Sequence, residues 1–62
     1  MTTIIHAINS VDIAAEKLRE TDLAFHLFDG AVKEWVPKSE VSDNCDGTFN
    51  MPEWLAMEKG FI

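Results

Sequence analysis

A chain of 62 residues has room for one small domain, and a domain of that size buries only roughly 60% of the surface its unfolded form exposes. Eleven acidic residues against five basic ones leave a formal charge of −6, divided evenly between residues 1–31 (five acids, two bases) and residues 32–62 (six acids, three bases). Such a balance is expected to repel nucleic acid and anionic membrane, and a single cysteine, Cys45, excludes an internal disulfide framework. With no disulfide staple or zinc cluster in the sequence, packing of six aromatic residues, or self-association into a homodimer, has to hold the fold. The apolar stretch from Ile4 to Ile8 is short and interrupted by His6, and no segment approaches the ~20 apolar residues of a membrane span. The expected location is the cytoplasm.

Taken in chain order, Ile4-Ile5 are β-formers, and Val11 to Glu20 reads two ways. Val11, Ala14, Ala15 and Leu18 sit at helical spacing behind a possible N-cap, Ser10. Val11, Ile13 and Ala15 equally alternate as a strand does. A turn at Glu20-Thr21-Asp22 follows, then a strand from Leu23 to Phe28 with Leu23, Phe25 and Leu27 on one face and Ala24, His26 and Phe28 on the other. Asp29-Gly30 suits a tight hairpin turn, and the return strand, Ala31 to Val36, alternates apolar and charged residues until Pro37 stops it. The polar run from Ser42 to Gly47 is a third turn.

The C-terminus is punctuated as a short helix. Pro52 suits the first helical position, while Glu53 and Lys59 complement the helix dipole. Gly60 fits the left-handed position past the end, with Phe61 folding back on Leu55 or Ala56. So short a helix needs docking to persist. Met51, Trp54, Leu55 and Met57 form a broad arc expected to pack on the hairpin, with Trp54 against Phe25 and Leu27 and both tryptophans largely buried; Glu58 intrudes into that arc.

Little in the sequence assembles into chemistry. Neither Cys45 nor any serine has a neighbouring base in a nucleophile motif, and His6 and His26 are far from Cys45 along the chain; no enzymatic activity is expected. Ser42, Asn44, Asp46, Gly47 and Glu53 match the spacing of a calcium-binding loop, and Phe49 fills its apolar position. Ser42 stands where an aspartate is needed, Pro37 precludes an entering helix, and Pro52 precedes the twelfth-position glutamate, so no metal or other cofactor is expected. Trp35 with Phe25 could stack nucleic-acid bases, but Lys17, Arg19, Lys33 and Lys38 each have acids nearby and make no basic groove. Nucleic-acid binding is therefore not expected.

Two stretches, Trp35-Val36-Pro37-Lys38-Ser39-Glu40-Val41 and Met51-Pro52-Glu53-Trp54-Leu55-Ala56-Met57-Glu58-Lys59-Gly60-Phe61-Ile62, carry a resemblance. With Glu20-Thr21-Asp22-Leu23-Ala24 before them and Asp46-Gly47-Thr48 between, they resemble a group of short bacteriophage- and prophage-encoded proteins of unassigned function, over about residues 18–62. The resemblance implies a strand for Val11 to Glu20, although Ala14-Ala15 departs from the pattern. The resulting expectation is a β-rich α+β fold: an antiparallel meander of three or four strands, like a small open barrel, with the C-terminal helix packed across it. A phage-type product of this size and charge suggests a stoichiometric binder of a host or phage protein, inhibiting a defence or nucleic-acid-handling complex in the manner of an anti-CRISPR. The alternatives are a nucleic-acid accessory factor of phage replication or recombination, or a structural subunit of a homo-oligomer. The carboxylates expected to meet a basic partner are Glu40, Asp43 and Asp46, close together in a segment poor in apolar residues.

Overall fold

The computed structural model describes residues 9–62; Ile4, Ile5 and His6 lie outside them. The described residues form β1 (Ser10–Ala14), β2 (Glu16–Glu20), β3 (Ala24–Phe28), β4 (Lys33–Pro37), β5 (Ser42–Asp43), β6 (Thr48–Pro52) and α1 (Glu53–Lys59). All strand pairings are antiparallel, in two three-stranded sheets ordered β1-β6-β5 (sheet 1) and β2-β3-β4 (sheet 2). The β-rich α+β class with one C-terminal helix is therefore correct, but six strands replace the three or four expected.

The difference begins at Val11 to Glu20. The segment is extended, as the alternation of Val11 and Ile13 allows, yet it is two strands serving two sheets. β1 pairs with β6, from Ser10 opposite Pro52 to Ala14 opposite Thr48, whereas β2 pairs with β3. Between them Ala15 still donates its N–H to the carbonyl of Gly47 (3.1 Å), so the backbone stays tied to sheet 1 up to the point where it crosses over. A small residue there lets the chain change sheets without a bulky side chain in the corner.

The hairpin β3–β4 holds, with shifted ends. Phe25 and Leu27 face inward and are buried, and Val36 of β4, opposite Phe25, is fully buried. Leu23, expected on their face, is 80% exposed. It lies before the strand, where the Thr21 hydroxyl accepts hydrogen bonds from the N–H groups of Leu23 and Ala24 and fixes a bend. The turn is also longer than Asp29-Gly30 alone. The Asp29 carboxylate accepts from the N–H groups of Ala31 (2.9 Å) and Val32 (2.7 Å), and the Asp29 N–H reaches the Val32 carbonyl. β4 consequently starts at Lys33 rather than Ala31.

The two sheets meet core face to core face. Ile13, Phe49 and Met51 of sheet 1 join Phe25, Leu27 and Val36 of sheet 2, together with Val41, Leu55, Ala56 and Phe61, in one apolar cluster. Across the join the rings of Phe25 and Phe49 lie 5.6 Å apart at 55°, within the tilted range that aromatic pairs favour.

α1 follows β6 directly and runs alongside β1 and β6, while its buried Leu55 and Ala56 join the cluster that holds Phe25, Leu27 and Val36 of the hairpin. The N–H of its first residue, Glu53, donates to the Asn9 carbonyl (2.8 Å), which anchors the helix start to sheet 1. Pro52 is the N-cap, extended at φ −60°, ψ 143°, rather than the first helical residue. The other end is as expected. Gly60 is left-handed, its N–H reaches the Met57 carbonyl and that of Phe61 the Ala56 carbonyl, and Phe61 is buried. These two bonds define a Schellman cap.

Neither tryptophan is largely buried: Trp35 is 40% and Trp54 50% exposed. At 100° per residue, α1 divides into two arcs. Leu55 and Ala56 are buried with half-buried Lys59 between them, while Glu53, Met57, Trp54 and Glu58, in that order around the axis, face solvent. The glutamate that seemed to intrude into an apolar arc marks that arc as the outer one.

Candidate contact surfaces

No cavity opens among the described residues; their distinctive chemistry lies on two open faces. The first is the outer face of sheet 2. Register places Glu16, Phe28 and Lys33 in one row across β2, β3 and β4, and Arg19, His26 and Trp35 in the next. The irregularity between Lys17 and Arg19 leaves Leu18, 38% exposed, as an extra residue beside that second row. His26 and Trp35 stack nearly parallel, centroids 4.6 Å apart and planes 8° apart. The Lys33 ammonium lies 5.6 Å from the Phe28 ring. His26 is thus half-buried beneath an indole, and its Nδ1 is shielded without a hydrogen-bond partner among the described residues.

The second face is the solvent arc of α1. Trp54 and Met57 are 50% and 61% exposed and adjacent on the helix, with Glu53 and Glu58 on either side of them. Exposed tryptophan and methionine on a rigid element are the side chains that anchor protein interfaces, and here two carboxylates frame them.

The three carboxylates expected to meet a partner sit elsewhere, around β5 and the turn after it, and two of them are engaged within the chain. Asp43 accepts from the N–H of Cys45 (2.8 Å) and lies 3.6 Å from the Lys17 ammonium. Asp46 accepts from the hydroxyl and the N–H of Thr48, which lower its pKa below the usual carboxylate value. Glu40 is exposed. In this turn Cys45 is exposed, with a left-handed φ of 62°.

The loop with calcium-site spacing is a hairpin. Ser42 belongs to β5, Asn44 donates to Asp12 and Thr48, and the five residues of β6 separate the turn from Glu53. At ~3.3 Å per residue that strand carries Glu53 roughly 16 Å from the turn, so these residues do not wrap around one point. Trp35 and Phe25 form no platform either, since they occupy opposite faces of sheet 2 and Phe25 is buried.

Nor do Lys33 and Lys38 make a stripe. Lys33 belongs to the outer face, whereas Lys38 and Lys17 reach over the inner-facing Phe25 ring at 5.1 and 5.5 Å. There Glu20 accepts from Lys38 and from Lys17 (2.9 Å). Those two ammonium groups, Lys38 foremost, hold the Glu20 carboxyl at about 2. With the Lys17–Asp43 contact, this cluster links β2, the end of β4 and β5, and so ties one sheet to the other.

The signals for both exposed faces were present in the sequence. Glu58 disclosed the exposed helix arc, and the parity of Trp35 against Val36 disclosed which β4 residues turn outward once Phe25 and Leu27 are assigned to the core.

The described residues thus form a small two-sheet β module with one C-terminal helix. No protein-family model, curated protein or solved structure matches the chain.

Proposed function

We propose that this protein is a stoichiometric protein-binding module, acting in the cytoplasm, whose contact surface is the solvent arc of α1. The observation that carries the reading is Trp54 and Met57, each at least half exposed on a helix fastened to sheet 1 at one end and capped at the other, between Glu53 and Glu58. Leaving an indole in water on an ordered helix forgoes burial that a partner can supply. The flanking carboxylates specify that partner's chemistry: an apolar socket with a basic rim, as on a protein that itself grips nucleic acid. Charge of this kind speeds encounter and selects the partner, and the effect fades with salt. The resemblance to phage and prophage proteins makes a host defence or nucleic-acid-handling complex the natural target, inhibited by occupation in the anti-CRISPR manner. No helix among the described residues is long and apolar enough to cross a membrane.

Site-resolved capture tests the reading. Tagged wild-type chain is compared with Trp54→Ala/Met57→Ala and Glu53→Lys/Glu58→Lys in prophage-bearing or infected cells. A protein recovered in near-stoichiometric amount with the wild type should be lost with both variants, and kept with Glu40→Lys/Asp46→Lys. Undiminished capture by the α1 variants, or loss only with the turn variant, would refute the assignment and return the contact to the turn after β5.

A further inference from the structure

We propose that the outer face of sheet 2 docks a second copy of this chain, in a two-fold arrangement whose axis runs parallel to β3. This face is separate from the α1 surface, and α1, packed on β1 and β6, stays outside the interface in both copies.

The two sheets differ sharply on their outer sides. On sheet 1, Ser42, Asn50 and Asp12 stand in one row, and their polar groups already serve one another: the amides of Asn50 (3.0 Å) and Asn44 (3.1 Å) both donate to Asp12 Oδ1. That face is finished in water. On sheet 2 the corresponding rows carry Phe28, His26 and Trp35, with Leu18 beside them, and Trp35 remains 40% exposed after stacking on His26. The shielded Nδ1 of His26 lies in the middle of this face.

Charge selects a second copy as the occupant. The first row runs acid, aromatic, base: Glu16 on β2, Phe28 on β3, Lys33 on β4. A half-turn about an axis along β3, lying in the interface, places each β2 over the other copy's β4. Glu16 then faces the partner's Lys33, twice by symmetry, and Arg19 faces the partner's Trp35, the ring type on which a guanidinium stacks best. Phe28 and His26 meet their own counterparts at the axis. Turning the copies about the perpendicular in-plane direction would instead set the Glu16–Lys33 row against Ala24 and Pro37, which offer no countercharge. The face is thus self-complementary in one orientation, as an isologous interface must be. Nor does its charge set two acidic chains against each other as the whole-chain balance would: Glu16, Arg19 and Lys33 sum to +1 on a chain of −6.

Sedimentation equilibrium of the full chain, from micromolar to near-millimolar at 0.15 M salt, tests the proposal. A concentration-dependent dimer is expected. Glu16→Lys and Lys33→Glu should each weaken it by on the order of tenfold, since each turns two exposed attractive pairs into repulsive ones. An equimolar mixture of the two single variants should regain wild-type affinity as a heterodimer, because every Glu16–Lys33 pair in it is again of opposite sign. Circular dichroism confirms that both variants fold, and the mixing experiment cannot be mimicked by misfolding. A chain that stays monomeric, a dimer indifferent to either reversal, or a mixture no tighter than its components would overturn the proposal. So would a monomer that binds a labelled thymidine oligonucleotide through Arg19 and Lys33, which would assign the aromatic face to base stacking.

Discussion

Neighbouring residues on opposite sides of α1 provide the sharpest check of how the helix docks. Trp54 is the larger side chain, and a reading from composition alone would assign its truncation ~3–5 kcal/mol, the cost of removing a buried aromatic. The fold reverses that ranking. With half of its surface in water, Trp54 buries only ~75–125 Å² of the ~150–250 Å² a fully buried aromatic would. At ~25 cal/mol per Å² that is roughly 2–3 kcal/mol, an upper bound from which about 0.5 kcal/mol is recovered because alanine is the better helix former. Trp54→Ala should therefore cost ~1–2 kcal/mol. Leu55, only 3% exposed and within the core cluster, should cost ~3–4 kcal/mol on truncation to Ala, within the usual range for a buried leucine. A 62-residue chain has roughly 3–9 kcal/mol of stability in total and loses about 4–8 °C of melting temperature per kcal/mol. Leu55→Ala should accordingly melt at least 10 °C lower, or fail to fold at 37 °C, while Trp54→Ala stays folded. Thermal unfolding followed by far-ultraviolet circular dichroism, which does not depend on the tryptophan removed, gives both values. If Trp54→Ala proved as damaging as Leu55→Ala, the assignment of the two helix faces would be wrong, and the α1 contact surface with it.

Acid should loosen the junction between the sheets. The Glu20 carboxyl, held at about 2 by Lys38 and Lys17, binds its proton more readily unfolded than folded, so its contribution is complete above about pH 4.5 and is lost as pH falls toward 2. Glu20→Gln should flatten the decline in melting temperature across that window, and an unchanged slope would mean the cluster contributes nothing. Gly60, at φ 85° in the cap of α1, meets nothing closer than Val32 Cγ2 at 4.0 Å were a Cβ added. Gly60→Ala should thus cost only the left-handed strain, about 1–2 kcal/mol, whereas a larger loss in chemical denaturation would point to a steric clash at that site.

Much of this architecture can be read from local pattern, because local chemistry dictates it. The alternation of Phe25 and Leu27 against His26 and Phe28 assigns β3 its two faces, and Asp29-Gly30 locates the reversal. Pro52, Lys59, Gly60 and Phe61 delimit the helix through groups within a few residues of one another, so capping needed no knowledge of the rest of the chain. Tertiary structure decided what depends on distant partners. Whether Val11 to Glu20 is helix or strand turns on β6 being available to pair with β1, and its division at Ala15 turns on the Gly47 carbonyl, 32 residues away. The docking of α1 on sheet 1 follows from the direct β6–α1 junction and the Glu53–Asn9 bond, and it turned Trp54 outward. Composition supplied two tryptophans and eleven acids, but only packing could say which carboxylates were already engaged by Lys17, Lys38 and Thr48, and which aromatic rings remained in water. A side chain's exposure is set by what covers it, and in this chain the cover comes from elements far away in sequence.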